Sequence, residues 1–168
     1  MSSQITTLLS AVLFLSTVVY AGNFTTIAQC KHWVSDAALK ECLEDAYDFA
    51  QKNKDNLEDL EKAANYVAEF DHAGSARVYQ MMVEKLGTKA GCEKSGVVGA
   101  GLRALRSGDE KDGKAGVFLA NQCYPQMAEE LRNMLGEKND LLLKRACPIL
   151  RKNNVLKGLL VKRCEPFK

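Results

Sequence analysis

The stretch Asp71-His72-Ala73-Gly74-Ser75-Ala76-Arg77-Val78-Tyr79 has a counterpart 39 positions later, Glu110-Lys111-Asp112-Gly113-Lys114-Ala115-Gly116-Val117-Phe118. Gly74, Ala76, Val78 and Tyr79 align with Gly113, Ala115, Val117 and Phe118, while His72 and Ser75 give way to Lys111 and Lys114. Small and apolar residues repeat, and polar residues vary. That is the signature of packing: small residues near the start of a helix let a neighbour approach closely, and the aromatic fills the groove beside them.

Outward from these blocks the apolar spacing is helical throughout. Leu57, Leu60, Ala64, Val67 and Ala68 recur at three and four, as do Ala76, Tyr79, Met82, Val83 and Leu86, and then Val98, Leu102 and Leu105. Met127, Leu131, Met134 and Leu135 continue the pattern, followed by Leu143, Ala146, Cys147 and Leu150, then Leu156, Leu159 and Leu160. No segment alternates polar and apolar residues long enough to form a strand. The expected fold is all-α, a compact stack of about eight or nine short antiparallel helices. Ser35-Asp36 suits the start of a helix ending near Lys52, and Asp55 or Asn56 the start of the next. Gly87, Gly108 and Gly136 stand where left-handed residues close helices, Pro125 suits a first turn, and Pro148 predicts a kink or break.

The repeated block, with its polar turn, spaced alanine and following aromatic, resembles the second helix of tetratricopeptide-type (Sel1-like) hairpin repeats. The resemblance covers about half of the chain beyond its first 21 residues and implies stacked helical hairpins. The Trp, Leu-Gly and terminal Pro markers of that family are absent here, and the offset of 39 exceeds its repeat of about 34 residues.

The first 21 residues carry no charged side chain, and Ile5–Tyr20 is apolar and hydroxyl-rich. Val19 and Ala21 suit signal peptidase, so cleavage is expected after Ala21, leaving one domain over 22–168 and a secreted protein (periplasmic in a bacterium). The run is too short and too rich in Ser and Thr for a strong membrane span. Behind such a segment the six cysteines, Cys30, Cys42, Cys92, Cys123, Cys147 and Cys164, read as three disulfides. No C-x-x-C pair is present and the spacings match no zinc pattern. Spacing alone does not choose a connectivity. With hairpins as the unit, pairing in order is expected: Cys30–Cys42, Cys92–Cys123 and Cys147–Cys164. Asn23-Phe24-Thr25 is an N-glycosylation sequon.

Two motifs imitate active sites. Asp71, His72 and Ser75 are the residue types of a hydrolase triad, but the counterpart block lacks both the histidine and the serine, so turn and cap roles are expected. Val97-Val98-Gly99-Ala100-Gly101-Leu102-Arg103-Ala104 contains G-x-G-x-x-A, the dinucleotide fingerprint. That chemistry needs a buried strand before the glycines, whereas Cys92-Glu93-Lys94-Ser95-Gly96 is short and polar. A helix with Gly99 and Gly101 on its packed side is expected instead. His32 and His72, the two histidines, have no ligand-spaced partner, and no catalytic residue, cofactor loop or metal set is identified. Trp33 and the Met81-Met82 pair read as core.

Charge is polarised. Residues 22–86 hold seven basic and twelve acidic residues, a net −5, and residues 87–168 hold sixteen and nine, a net +7. Lys144, Arg145, Arg151, Lys152, Lys157, Lys162 and Arg163 interleave with leucines near the C-terminus and are the candidate contacts for a partner. An acidic protein, a glycosaminoglycan or an anionic membrane surface would suit them, without a membrane span. Nucleic acid fits poorly, because the basic stretch lacks aromatic residues for stacking. The expected function is that of an exported, non-enzymatic interaction protein, effector- or inhibitor-like. The alternative is a carrier enclosing a small apolar ligand among its helices. For that role, the 49 residues between the second and third cysteines and the 16 between the last two differ from the short gaps of insect odorant-binding proteins.

Overall fold

The computed structural model of the protein describes residues 36–167. The expected export segment, the sequon at Asn23, Cys30, His32 and Trp33 lie outside them. Among the described residues every regular element is helical: α1 Asp36–Lys52, α2 Leu57–Phe70, α3 Ser75–Leu86, α4 Thr88–Cys92, α5 Val97–Arg106, α6 Glu110–Gln122, α7 Tyr124–Met134, α8 Asp140–Lys152 and α9 Leu159–Cys164.

Local chemistry starts most of the longer helices. The Asn56 side chain accepts from the Glu58 and Asp59 amides, Asp109 from the Asp112 amide, and Asn139 from the Leu142 amide, each satisfying donors a first turn leaves open. Acidic residues follow in those first turns (Glu58 and Asp59, Glu110 and Asp112, Asp140), where the helix dipole favours negative charge. Pro125 stands in the first turn of α7, as its missing donor allows.

Helix ends depart from the glycine expectation. Gly87 does have a positive φ of 78°, but Gly108 and Gly136 do not. Arginines take over the work of a left-handed cap. Arg145 Nη1 on α8 donates to the carbonyls of Ala104, Leu105 and Ser107 at 3.2, 3.1 and 2.6 Å, covering the end of α5. Arg163 on α9 donates from Nε to Leu135 O at 3.1 Å and from Nη2 to Glu137 O at 2.8 Å, covering the end of α7. With those carbonyls satisfied from outside, the chain has no need to turn back on itself through a left-handed residue. Positive φ occurs instead at Gly96 (91°), Gly158 (57°) and Asn154 (55°). Of the kink or break expected at Pro148, the break is absent, since α8 runs through it. Pro148 and Lys144, whose carbonyl loses its usual donor, are both exposed, so water can take the donor's place.

One hydrophobic core joins the helices, with Leu60, Met82, Leu105, Leu119, Met127 and Leu131 at 0% exposure. The closest-packed pair is α5 with α6, joined by a short turn as a hairpin. Gly116 sets that distance, because a Cβ there would lie 2.8 Å from the Leu105 amide nitrogen and 2.9 Å from Ala104 Cβ. The echoed Gly113 instead faces the Arg145 guanidinium, and Gly74 faces the Tyr47 hydroxyl and Asp71. Gly101 packs on Met127 and Leu119, but Gly99, expected on the same packed side, would meet only the Arg103 guanidinium, at 3.6 Å from an added Cβ. Gly116→Ala and Gly99→Ala should therefore shift stability in opposite directions. Overpacking at Gly116 is expected to cost about 1–3 kcal/mol, and Gly99→Ala to add up to about 1 kcal/mol through helix propensity. Thermal unfolding of the two variants decides the point.

Two of the expected disulfides are present. Cys92–Cys123 joins the end of α4 to the residue between α6 and α7, with Cα atoms 5.3 Å apart, and Cys147–Cys164 pins α9 to α8 at 5.5 Å. Cys42 is disulfide-bonded and buried; the expected pairing with Cys30 involves a residue outside those described.

Candidate functional site

The triad look-alike forms a turn. Ser75 is buried, and its hydroxyl donates to the His72 backbone carbonyl at 2.9 Å, not to the imidazole. Asp71 Oδ1 accepts from the Gly74 amide at 2.8 Å and Oδ2 from the Tyr47 hydroxyl at 3.2 Å, while His72 is exposed. The Asp71 and Ser75 side chains shape the α2–α3 connection, to which His72 contributes its backbone carbonyl. The dinucleotide look-alike is equally structural, since Val97 to Arg106 is continuous helix and no described residue before it is in a strand. Among the described residues no cluster of three or more His, Cys, Asp or Glu side chains is placed to hold a metal.

Arg77 and Asp112, at the two echoed blocks, meet across α3 and α6. Arg77 Nε donates to Asp112 Oδ1 at 2.6 Å, and the Ser107 hydroxyl donates to Oδ2 at 3.1 Å. The guanidinium lies 4.2 Å from the centre of the Tyr47 ring, a cation–π contact, and its Nη2 is 3.6 Å from Asp109 Oδ1. Burial, and then the Asp71 carboxylate, holds the Tyr47 phenol far above its ordinary range, so it stays neutral and donates to Asp71. Asp112 is only 4% exposed, and each carboxylate oxygen has a partner within the fold. This is a satisfied buried network that joins α1, α3 and α6. Sequence reasoning missed it, although Arg77 interrupts an apolar block and Asp112 stands where the earlier block has Ala73.

The seven basic candidates divide by chemistry. Arg145 and Arg163 bind helix-end carbonyls as described, and Arg151 donates to Cys164 O at 3.2 Å and Phe167 O at 3.4 Å, securing the end of α9. Lys144, Lys152, Lys157 and Lys162 are exposed and form no ion pair among the described residues. The division follows donor geometry: the guanidinium fork can cover two or three carbonyls at once, whereas an ammonium keeps its hydration. The lysines are distributed over α8, the turn after it, and α9.

Clefts occur at the surface. One of about 280 Å³ lies between Gln51, Lys54 and Asp55 on one side and Met81, Glu84 and Lys85 on the other. Two more, of about 300 and 290 Å³, run between α2, α3 and α5 and share Asn65, Tyr79 and Ser95. Among the described residues no helix is long and apolar enough to cross a membrane. The disulfides and the absence of a spanning helix in this region are compatible with an extracellular protein.

Fold and surface together define a disulfide-stapled, all-α helical stack. No family model matches the chain, and comparisons with curated proteins and with solved structures give no match either.

Proposed function

We propose that the protein is exported and non-enzymatic, and binds an acidic protein through the lysines of its C-terminal helices. The observation that carries this reading is the division of the basic residues. The arginines are consumed by the fold, while Lys144, Lys152, Lys157 and Lys162 stay solvated without carboxylate partners among the described residues. Unpaired positive charge of this kind speeds encounter with an acidic surface and selects against basic ones. An interaction role of the effector or inhibitor type needs surface shape and charge, and both candidate catalytic motifs have structural employment instead. The carrier alternative calls for an enclosed apolar chamber; the clefts described above are surface grooves bordered by charged side chains, and the core positions are filled.

The test is charge reversal at the four lysines together, Lys144→Glu, Lys152→Glu, Lys157→Glu and Lys162→Glu. Partners are captured by cross-linking from the extracellular fluid of the source at low and high salt. The acidic partner should lose at least about tenfold in affinity on reversal, and wild-type binding should weaken as salt rises. Far-ultraviolet circular dichroism should be unchanged, because these side chains hold nothing in place. Capture indifferent to both salt and charge reversal would remove the proposal.

A further inference from the structure

The grooves between α2, α3 and α5 contain a donor-rich corner that the fold does not use. α5 is preceded by Gly96, which has no side chain to cap it, and the amides of Val98 and Gly99 have no acceptor among the described residues. Tyr79, from α3, is only 5% exposed and lines both clefts, yet its hydroxyl has no hydrogen-bond partner among the described residues. That hydroxyl stands against Gly96, where any Cβ would collide with it. Burial, and then the Glu61 charge, raises the Tyr79 phenol above its ordinary range, so it remains a neutral donor. Arg103, one turn along α5, is exposed and without an ion pair, and its Nη1 lies 3.6 Å from the position a Gly99 Cβ would occupy. Ser95, Asn65 and His72 complete the walls. The one carboxylate bordering the pair of clefts, Glu61, is already matched by Lys94.

From this arrangement we infer an anion-binding site, in which the α5 N-terminus, the Tyr79 hydroxyl and Arg103 hold a tetrahedral oxyanion, a phosphate or sulfate group. Each element supplies what such a group needs. A helix N-terminus offers amide donors and the positive end of its dipole. A guanidinium adds charge-assisted, directional hydrogen bonds. The Tyr79 hydroxyl, which lines the clefts and makes no hydrogen bond within the described residues, is free to donate to the group. Gly99 completes the corner, since a side chain there would occupy the space beside the guanidinium. The site lies on helices other than α8 and α9, so it is separate from the lysines proposed to bind a protein.

The experiment titrates inorganic phosphate, sulfate and acetate into the ¹⁵N-labelled protein at constant ionic strength. Saturable shifts are expected for the Gly96, Val98 and Gly99 amides with phosphate or sulfate. Arg103→Gln should weaken phosphate binding about tenfold, and Tyr79→Phe several-fold. Both variants should fold normally, because one side chain is exposed and unpaired and the other loses only an unpartnered hydroxyl. Lys144→Gln should leave the phosphate affinity unchanged. Shifts confined to residues around Lys144 and Lys152, or the same affinity in Arg103→Gln, would overturn the site. Saturation by acetate alone would overturn its assignment to a tetrahedral anion.

Discussion

Replacing Arg77 by methionine is expected to lower the free energy of unfolding by about 3–5 kcal/mol, the largest loss expected from any single side chain discussed above. The cause is what remains behind. Asp112 is 4% exposed and would lose its charged partner while staying buried, with only the Ser107 hydroxyl and its own solvation to offset the charge. Tyr47 would lose the guanidinium over its ring as well. Arg77→Met with Asp112→Asn should recover part of the loss, since an amide costs far less to bury than an unpaired carboxylate. Urea denaturation of the two single variants and the double variant gives the coupling. Lys85→Met is the comparison, because Lys85 and Asp55 form an ion pair exposed to solvent, which contributes little. Equal losses in Arg77→Met and Lys85→Met would show that the buried network holds nothing together.

The second large effect is expected from the crosslinks. Replacing Cys92 and Cys123 by alanine should cost about 4 kcal/mol, and the same change at Cys147 and Cys164 about 3 kcal/mol. The order follows loop length, with sequence separations of 31 and 17 residues. The first bridge also holds α4, a helix of five residues that is too short to persist without a tertiary anchor. Loss of that bridge should therefore expose amides 88–92 to hydrogen exchange as well as lower the unfolding midpoint. Midpoints that move less for Cys92/Cys123 than for Cys147/Cys164, with α4 still protected, would contradict this account.

Much of the helix plan was legible because it is written in local signals. Asn56, Asp109 and Asn139 act on amides two or three residues away, and the apolar stripes need only the helical period to be read. The pairs Cys92–Cys123 and Cys147–Cys164 followed from hairpin order. The turn role of Asp71 and Ser75 followed from a block that repeats without them.

What stayed hidden depends on partners far apart in the chain. Arg145 ends α5 from 38 to 41 residues away, so Gly108 lost the role its position suggested. Gly99 and Gly101 look equivalent in sequence, yet one meets Leu119 and the other faces a groove. The basic run read as one surface, whereas its arginines reach back to carbonyls and its lysines stay in water. The helix plan was therefore determined by the sequence, and the two described crosslinks followed its hairpin order, because caps, periodicity and short loops act over a few residues. Which cations, glycines and hydroxyls remain free to act was decided by the tertiary structure, because a charge or donor is consumed only by what folding brings beside it.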